Sequence, residues 1–293
     1  MTNVIFYCNW GSTPIELLER YKLMTKNNLG IYNTLYGTAN INEAHVIIFI
    51  EGMPYNFNLK LLNNKKVICF PREPFGYKNW EQLKLKYGHT YNNIYHVITN
   101  PQFIDKNYDF LSDLSYTEHK KKLSAIISNK NYGRGYQLRR KFLINLANKY
   151  PGICDIYGAG WNKELGISYK GQLDGYHKII DVNNNTKFHA LINYKYSICI
   201  ENCSRKNYFS EKFTDAILCW TIPIYYGCPN ISEYFPEHSY YVVDITKNDC
   251  LEKIIEIINK PVIQENIEAL IKARDLILNK YNIWSTIDNI VND

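Results

Sequence analysis

Short runs of Val, Ile and aromatic residues alternate with amphipathic stretches from one end of the chain to the other. In the first third, the apolar runs at 3–10, 45–50, 66–70 and 96–99 are short enough to predict strands. Between the first two, Leu17, Leu18, Tyr21 and Met24 fall at helical spacing within 15–26. Pro14 stands at the start of that helix, where a missing N–H costs nothing. A polar passage over 101–122, ending in His119-Lys120-Lys121-Lys122, reads as a solvated linker in preference to an anion-binding patch.

The pattern then restarts. A strand at 123–128 leads through Gly133 and Gly135 to a helix over 137–150, with Leu138, Phe142, Leu146 and Ala147 on one face. Further strands are expected at 155–157, 196–200, 221–226 and 240–243, with helices at 186–192 and 210–218 and two or three more at the end. Such alternation predicts an α/β protein whose parallel sheets carry helices on both faces. The restart implies two Rossmann-like domains, 1–118 and 119–293, with the last helix a candidate to pack back on the first. A chain of 293 residues is long enough for both. Folds of this kind bind ligands at the carboxyl ends of their strands, and a cleft between two of them suits a two-substrate reaction.

Composition narrows the class. With 46% hydrophobic and 21% charged residues, the chain is neither disordered nor low in complexity. A net charge of +6 suits an anionic small ligand and is too dilute to point to nucleic acid. No apolar run has the length of a bilayer span, and the first residues read as a strand, not a signal peptide, so a soluble cytoplasmic protein is expected. The eight cysteines form no C-x-x-C pair. Cys8, Cys69, Cys199 and Cys219 lie in or beside apolar runs, so the expectation is reduced thiols packed as small hydrophobes.

The densest chemistry lies between Tyr196 and Pro236. A buried strand ends in Glu201-Asn202, sending a carboxylate and an amide to the sheet edge. Ser210 then reads as an N-cap, with Glu211 and Lys212 in the first helical turn. A lysine there opposes the helix dipole, unless an anion is held as well. Lys212 and the helix N–H groups would converge on a phosphate, and Glu211 could accept from ribose hydroxyls. Read alone, the same residues equally suit a surface Glu–Lys pair.

This segment resembles the signature of the family 10 glycosyltransferases, the α-1,3/1,4-fucosyltransferases. The resemblance rests on Ile200-Glu201-Asn202, then Tyr208-Phe209-Ser210-Glu211-Lys212, then Ile222-Pro223-Ile224 with Gly227 and Pro229 following. Ile200 replaces a Phe and Ser210 a Thr. Upstream, Ile127-Ser128-Asn129 and Arg139 with Phe142 and Leu146 fit the family more thinly, as does Asp155-Ile156-Tyr157-Gly158. The resemblance implies a GT-B fold, GDP-fucose as donor and a glycan acceptor of N-acetylglucosamine type, joined by an α-1,3 link in an inverting displacement. It implies Arg139 as the diphosphate clamp, with Arg140 and Arg134 as rivals, and Asn202 and Tyr208 near the fucose and diphosphate. It implies Lys212 on the phosphates and Glu211 on the ribose.

The family's catalytic base is matched by Glu73, in Pro71-Arg72-Glu73-Pro74, where two prolines stiffen the backbone after a buried strand. Glu51, also just past a strand end, is the runner-up, and a loop carboxylate paired with Arg72 is the plain alternative. No D-x-D metal motif, phosphate-binding G-x-x-x-x-G-K-[ST] loop or dinucleotide G-x-G-x-x-G fingerprint occurs. The expectation is therefore no metal and no cofactor beyond the donor, with charge neutralisation falling to Arg139, Lys212 and a helix start. A GT-B enzyme using another nucleotide sugar, and a glycan- or nucleotide-binding protein without catalysis, are the competing readings.

Overall fold

The computed structural model describes residues 1–70, 104, 106–173 and 186–292. The chain divides into two compact units, one made of 1–102, 106–113 and 277–293, the other of 103–105 and 114–276.

In the first unit, β1 (Thr2–Cys8) is followed by α1 (Pro14–Lys22), the short hairpin β2 (Ile31–Tyr32) and β3 (Leu35–Gly37), then β4 (Val46–Ile50) and β5 (Lys66–Phe70). Among the described residues the sheet order is β2-β3-β1-β4-β5, with β2–β3 antiparallel and the other pairs parallel. All five residues of β4 are buried, as in a parallel sheet covered on both faces. The first helix is held by a capping box. Glu16 accepts from the Thr13 N–H at 2.8 Å, and the Glu16 N–H donates to the Thr13 hydroxyl at 3.3 Å. That helix ends at Lys22, four residues earlier than the spacing suggests. The strand expected at 96–99 lies outside the described residues. The polar passage is not all solvated linker. It contains α2 (Tyr108–Asp113), and His119 is buried.

The second unit runs β6 (Lys121–Ile126), α3 (Arg134–Lys149), β7 (Asp155–Tyr157), β8 (Tyr169–Gly171), α4 (His189–Ile192), β9 (Tyr194–Ile200), α5 (Glu211–Leu218), β10 (Ile222–Tyr226), β11 (Tyr241–Val242), α6 (Cys250–Ile258) and α7 (Gln264–Asp275). Its all-parallel sheet has the order β11-β10-β9-β6-β7-β8. Counted along this unit, that is the 3-2-1-4-5-6 order of a Rossmann sheet, with its switch point between β6 and β9. The buried Ser124 and Ser197, paired across that seam, bring their hydroxyls to 3.2 Å. Arg274 braces the far end of α5. It donates to the Leu218 carbonyl, and its guanidinium lies 4.3 Å from the Trp220 ring centroid.

The last helix, α8 (Ile283–Asn292), belongs to the first unit. Trp284 is fully buried there, 5.4 Å edge-on from Phe6, with its indole N–H donating to the Tyr21 carbonyl at 2.8 Å. All eight cysteines are free thiols, seven of them buried and Cys203 half-buried.

Candidate active site

In the second unit, the carboxyl ends of β6 and β9 diverge at the switch point, and two helices begin beside them. The first is α3. Gly133, at φ +96, turns the chain into it, and the helix starts at Arg134, three residues before the apolar periodicity does. A side chain at Gly135 would overlap the backbone carbonyl of Asn202. Glycine therefore lets the first turn of α3 stand directly against the end of β9.

Arg139 consequently lies in the second turn of α3 and not at its opening. It is 5% exposed, donates from Nη1 to the Ile200 carbonyl at 3.4 Å, and lies 4.6 Å from the Tyr136 ring centroid. Its buried Nε has no hydrogen-bond partner among the described residues. A buried guanidinium with an unsatisfied donor is costly unless something else completes it. Burial pulls its pKa down, while Tyr136, Glu201, Tyr208 and Glu211 oppose that pull in decreasing order.

The neighbouring Arg140 is engaged elsewhere, bonding Asn129 Oδ1 at 2.6 Å and Glu164 Oε1 at 3.0 Å. Arg134 is exposed at the helix start. Of the three arginines, Arg139 alone is buried.

The second helix is α5, and its start is built around Glu201. This carboxylate is 1% exposed, yet accepts from the Ser210 N–H and from the Ser210 hydroxyl, each at 2.7 Å. Ser210 is the N-cap, and its hydroxyl also accepts from the Lys212 N–H at 3.4 Å and the Lys212 ammonium at 3.1 Å. The ammonium reaches Glu211 at 3.2 Å and Glu201 at 3.8 Å. Gly227 makes room for this cluster, because a Cβ there would overlap the Glu201 side chain. Glycine at this place in the sequence pattern has a steric cause.

The electrostatics follow from the packing. Burial pushes the Glu201 carboxyl up, with Lys212 the strongest opposing influence. Burial pulls Lys212 down, but Glu211 and then Glu201 outweigh it, and its pKa ends above the ordinary lysine value. Arg139 also acts on Lys212, so the two cations lie in one another's field. The described residues thus gather two cations from two helices at one sheet edge, with the carboxylates of Glu201 and Glu211 acting on both.

The loop joining Asn202 to Ser210 is pinned. Asn207 adopts φ +62, its N–H donates to Asn230 Oδ1 at 2.9 Å, and its side-chain oxygen accepts from Asn230 at 2.7 Å and Tyr234 at 2.7 Å. Tyr208 is 1% exposed within it. Of the residues singled out from the sequence, Arg139, Asn202, Tyr208, Glu211 and Lys212 belong to this one unit, and Asn202, Glu211 and Lys212 flank the same loop. Glu73 lies outside the described residues. Glu51, in the first unit, follows β4 directly with φ +64, its N–H donating to the Phe70 carbonyl at 2.8 Å. Sequence reasoning assigned Glu201 no role. Its signal was there, a carboxylate closing an apolar strand nine residues before a capping serine.

The model of the family "Glycosyltransferase family 10 (fucosyltransferase) C-term" matches residues 116–262, half of the chain. An "Alpha-(1,3)-fucosyltransferase FucT" of Helicobacter pylori is 38% identical over 68 residues, 23% of this chain and 14% of that protein. An "Alpha-(1,4)-fucosyltransferase" of Arabidopsis thaliana is 32% identical over 65 residues, 22% of this chain and 16% of its own. These matches span a small part of either relative. Among solved structures, an alpha1,3-fucosyltransferase aligns over 97% of this chain and 93% of its own, at 16% identity and a TM-score of 0.54. The same enzyme name with GDP-fucose aligns at 15% identity over 97% and 92%, with a TM-score of 0.52. TarM follows at 17% identity, over 84% of this chain and 54% of its own, with a TM-score of 0.50. At such identities the likeness is one of fold, the GT-B type with two Rossmann-like domains. Motif order, the Rossmann seam and the family match agree: the chain belongs to glycosyltransferase family 10, the fucosyltransferase family.

Proposed function

We propose that the protein transfers L-fucose from GDP-fucose to a hydroxyl of a glycan acceptor. The observation that carries this reading is the gathering of Arg139 and Lys212, from α3 and α5, at the β6–β9 switch point. A diphosphate is the ligand that such a pair suits. A planar guanidinium bridges two phosphate oxygens, an ammonium adds a point charge, and the helix start adds N–H groups. Family membership and the GDP-fucose named with a structure of the same fold support the donor.

The reaction is a single inverting displacement. An acceptor oxygen bonds to the anomeric carbon of fucose as the bond from that carbon to the β-phosphate oxygen breaks. The electron pair of the broken bond leaves with GDP, where Arg139 and Lys212 stabilise the growing charge. The hydroxyl proton passes to Glu73, the general base. Asn202 and Tyr208 line the fucose–diphosphate region and Glu211 holds the ribose. An N-acetylglucosamine acceptor and an α-1,3 link are the leading choice, and no metal ion enters the scheme.

The test is transfer from GDP-fucose, GDP-mannose and UDP-sugars to a panel of glycans terminating in N-acetylglucosamine. Transfer of fucose alone, with inversion at the anomeric carbon, supports the reading. Turnover of UDP-sugars instead would favour a second one, a related enzyme with another donor, to which the fold likeness to TarM also points; a TarM variant of that fold has been solved with UDP.

A further inference from the structure

At the carboxyl end of β6, beside the switch point, an aromatic ring stands out in water. Tyr132 is 63% exposed, in the loop between β6 and α3. Its ring is not loose. It rests on Tyr136, with ring centroids 4.6 Å apart and planes at 38°. The Arg139 guanidinium lies 4.6 Å from the Tyr136 ring centroid in turn. The loop is tied down at its base, where Asn129 donates to the Gly160 carbonyl at 2.8 Å and accepts from Arg140 at 2.6 Å. The Lys130 ammonium stands 5.9 Å from the Tyr132 ring centroid.

We propose that Tyr132 is the stacking platform for the purine base of the donor nucleotide, and that Lys130 reads the edge of that base. This rests on the donor reading above and goes further, since that reading names no residue for the base. Three features carry it. An exposed ring already held against a second one offers a flat apolar surface at little further entropic cost. Two contacts of 4.6 Å, ring to ring and ring to guanidinium, separate it from Arg139, so platform and diphosphate clamp fall within the span of one nucleotide. A purine edge also has chemistry that an ammonium distinguishes. Guanine presents O6 and N7 as acceptors, whereas adenine presents an amino donor beside N7, which repels a cationic donor. The platform binds any base, and Lys130 makes it prefer guanine.

The experiment uses the full chain and three ligands: GDP, ADP and inorganic pyrophosphate. Tyr132→Trp puts a fluorophore on the platform. GDP should quench its added emission, relative to the parent protein, in a saturable way, and pyrophosphate should not. Tyr132→Ala should weaken GDP binding by at least about five-fold, the low end of what stacking one base contributes, and leave pyrophosphate binding unchanged. Tyr132→Phe should bind as the parent does, and Lys130→Ala should reduce the preference for GDP over ADP. The proposal is overturned if Tyr132→Ala binds GDP like the parent, or loses pyrophosphate to the same degree, which would make the ring a support for α3. An unchanged GDP-to-ADP ratio in Lys130→Ala overturns the assignment of that residue. A parent protein that binds none of the three ligands overturns the donor reading itself, a result distinct from these.

Discussion

The carboxylate of Glu201 grips Ser210 twice, taking its N–H on one oxygen and its hydroxyl on the other, both at 2.7 Å. The end of β9 is thereby bolted to the start of α5, and the Lys212 ammonium is held 3.8 Å from the same carboxylate. Glu201 is too buried to be a surface ion pair, and its value lies in the geometry it imposes on the helix start.

Glu201→Ala leaves the Ser210 donors without their acceptor in a closed site. We expect a loss of about 1–3 kcal/mol in urea unfolding, together with weaker GDP binding. Glu201→Gln keeps one acceptor oxygen and the shape, and should recover most of the stability. Equal losses in the two variants would show that charge and not hydrogen bonding is what counts there.

Arg139 and Arg140 are adjacent in sequence and differ in surroundings, the first buried against the end of β9 and the second bonded to Asn129 and Glu164. Arg139→Met should weaken GDP binding by ten-fold or more, about 1.4 kcal/mol, with little change in melting temperature. Arg140→Met removes the Asn129 and Glu164 contacts and should do the reverse. Calorimetric titration beside thermal unfolding distinguishes them, and a GDP defect in Arg140→Met alone would exchange their roles.

Glu73→Gln should abolish fucose transfer while leaving GDP affinity within about two-fold, because a base for the acceptor hydroxyl does not touch the nucleotide. Glu51→Gln serves as its counterpart. Single-turnover transfer and GDP titration on the same two proteins decide between the carboxylates, and an active Glu73→Gln removes that residue from the mechanism.

Burial pushes the His119 imidazole down to about 4, against an ordinary value of 6.5. Between those pH values the unfolded chain takes up a proton that the folded one refuses. Stability is thus lost as pH falls from 6.5 towards 4, by at most about 3 kcal/mol from this group. Asp215 works in the opposite sense. Burial, opposed by Lys187, raises its carboxyl from 3.8 to about 6, so its contribution falls as pH rises through that interval. His119→Gln should therefore be more stable at pH 5, relative to pH 7.5, than the parent protein. Because the reading is a difference between two pH values, packing lost at both cancels, and an unchanged difference would show that the imidazole is not buried neutral.

The buried strands were legible because a parallel sheet covered on both faces writes them as unbroken apolar runs. The run at 66–70 coincides with β5 residue for residue, and four of its five residues are buried. Ser210 was legible as an N-cap for the same local reason: its hydroxyl satisfies an N–H two residues on. The hairpin β2–β3 and the edge strand β8 were not, since two or three residues carry no period. Nor was the true start of α3, where a positive-φ glycine replaces a side-chain cap and the first turn is basic.

By itself, then, the sequence determined the kind and order of the elements, the restart that makes two domains, and a motif whose spacing names its family. Those are properties of neighbours along the chain, and periodicity records them. Only the tertiary structure decided that Arg139, not Arg140, is buried against the end of β9, that Glu201 clamps Ser210, and that Gly227 leaves it room. The physical reason is distance along the chain. Arg139 and Ile200 are 61 positions apart, and burial, charge and hydrogen bonding between such residues exist only once the sheet has brought its strand ends together.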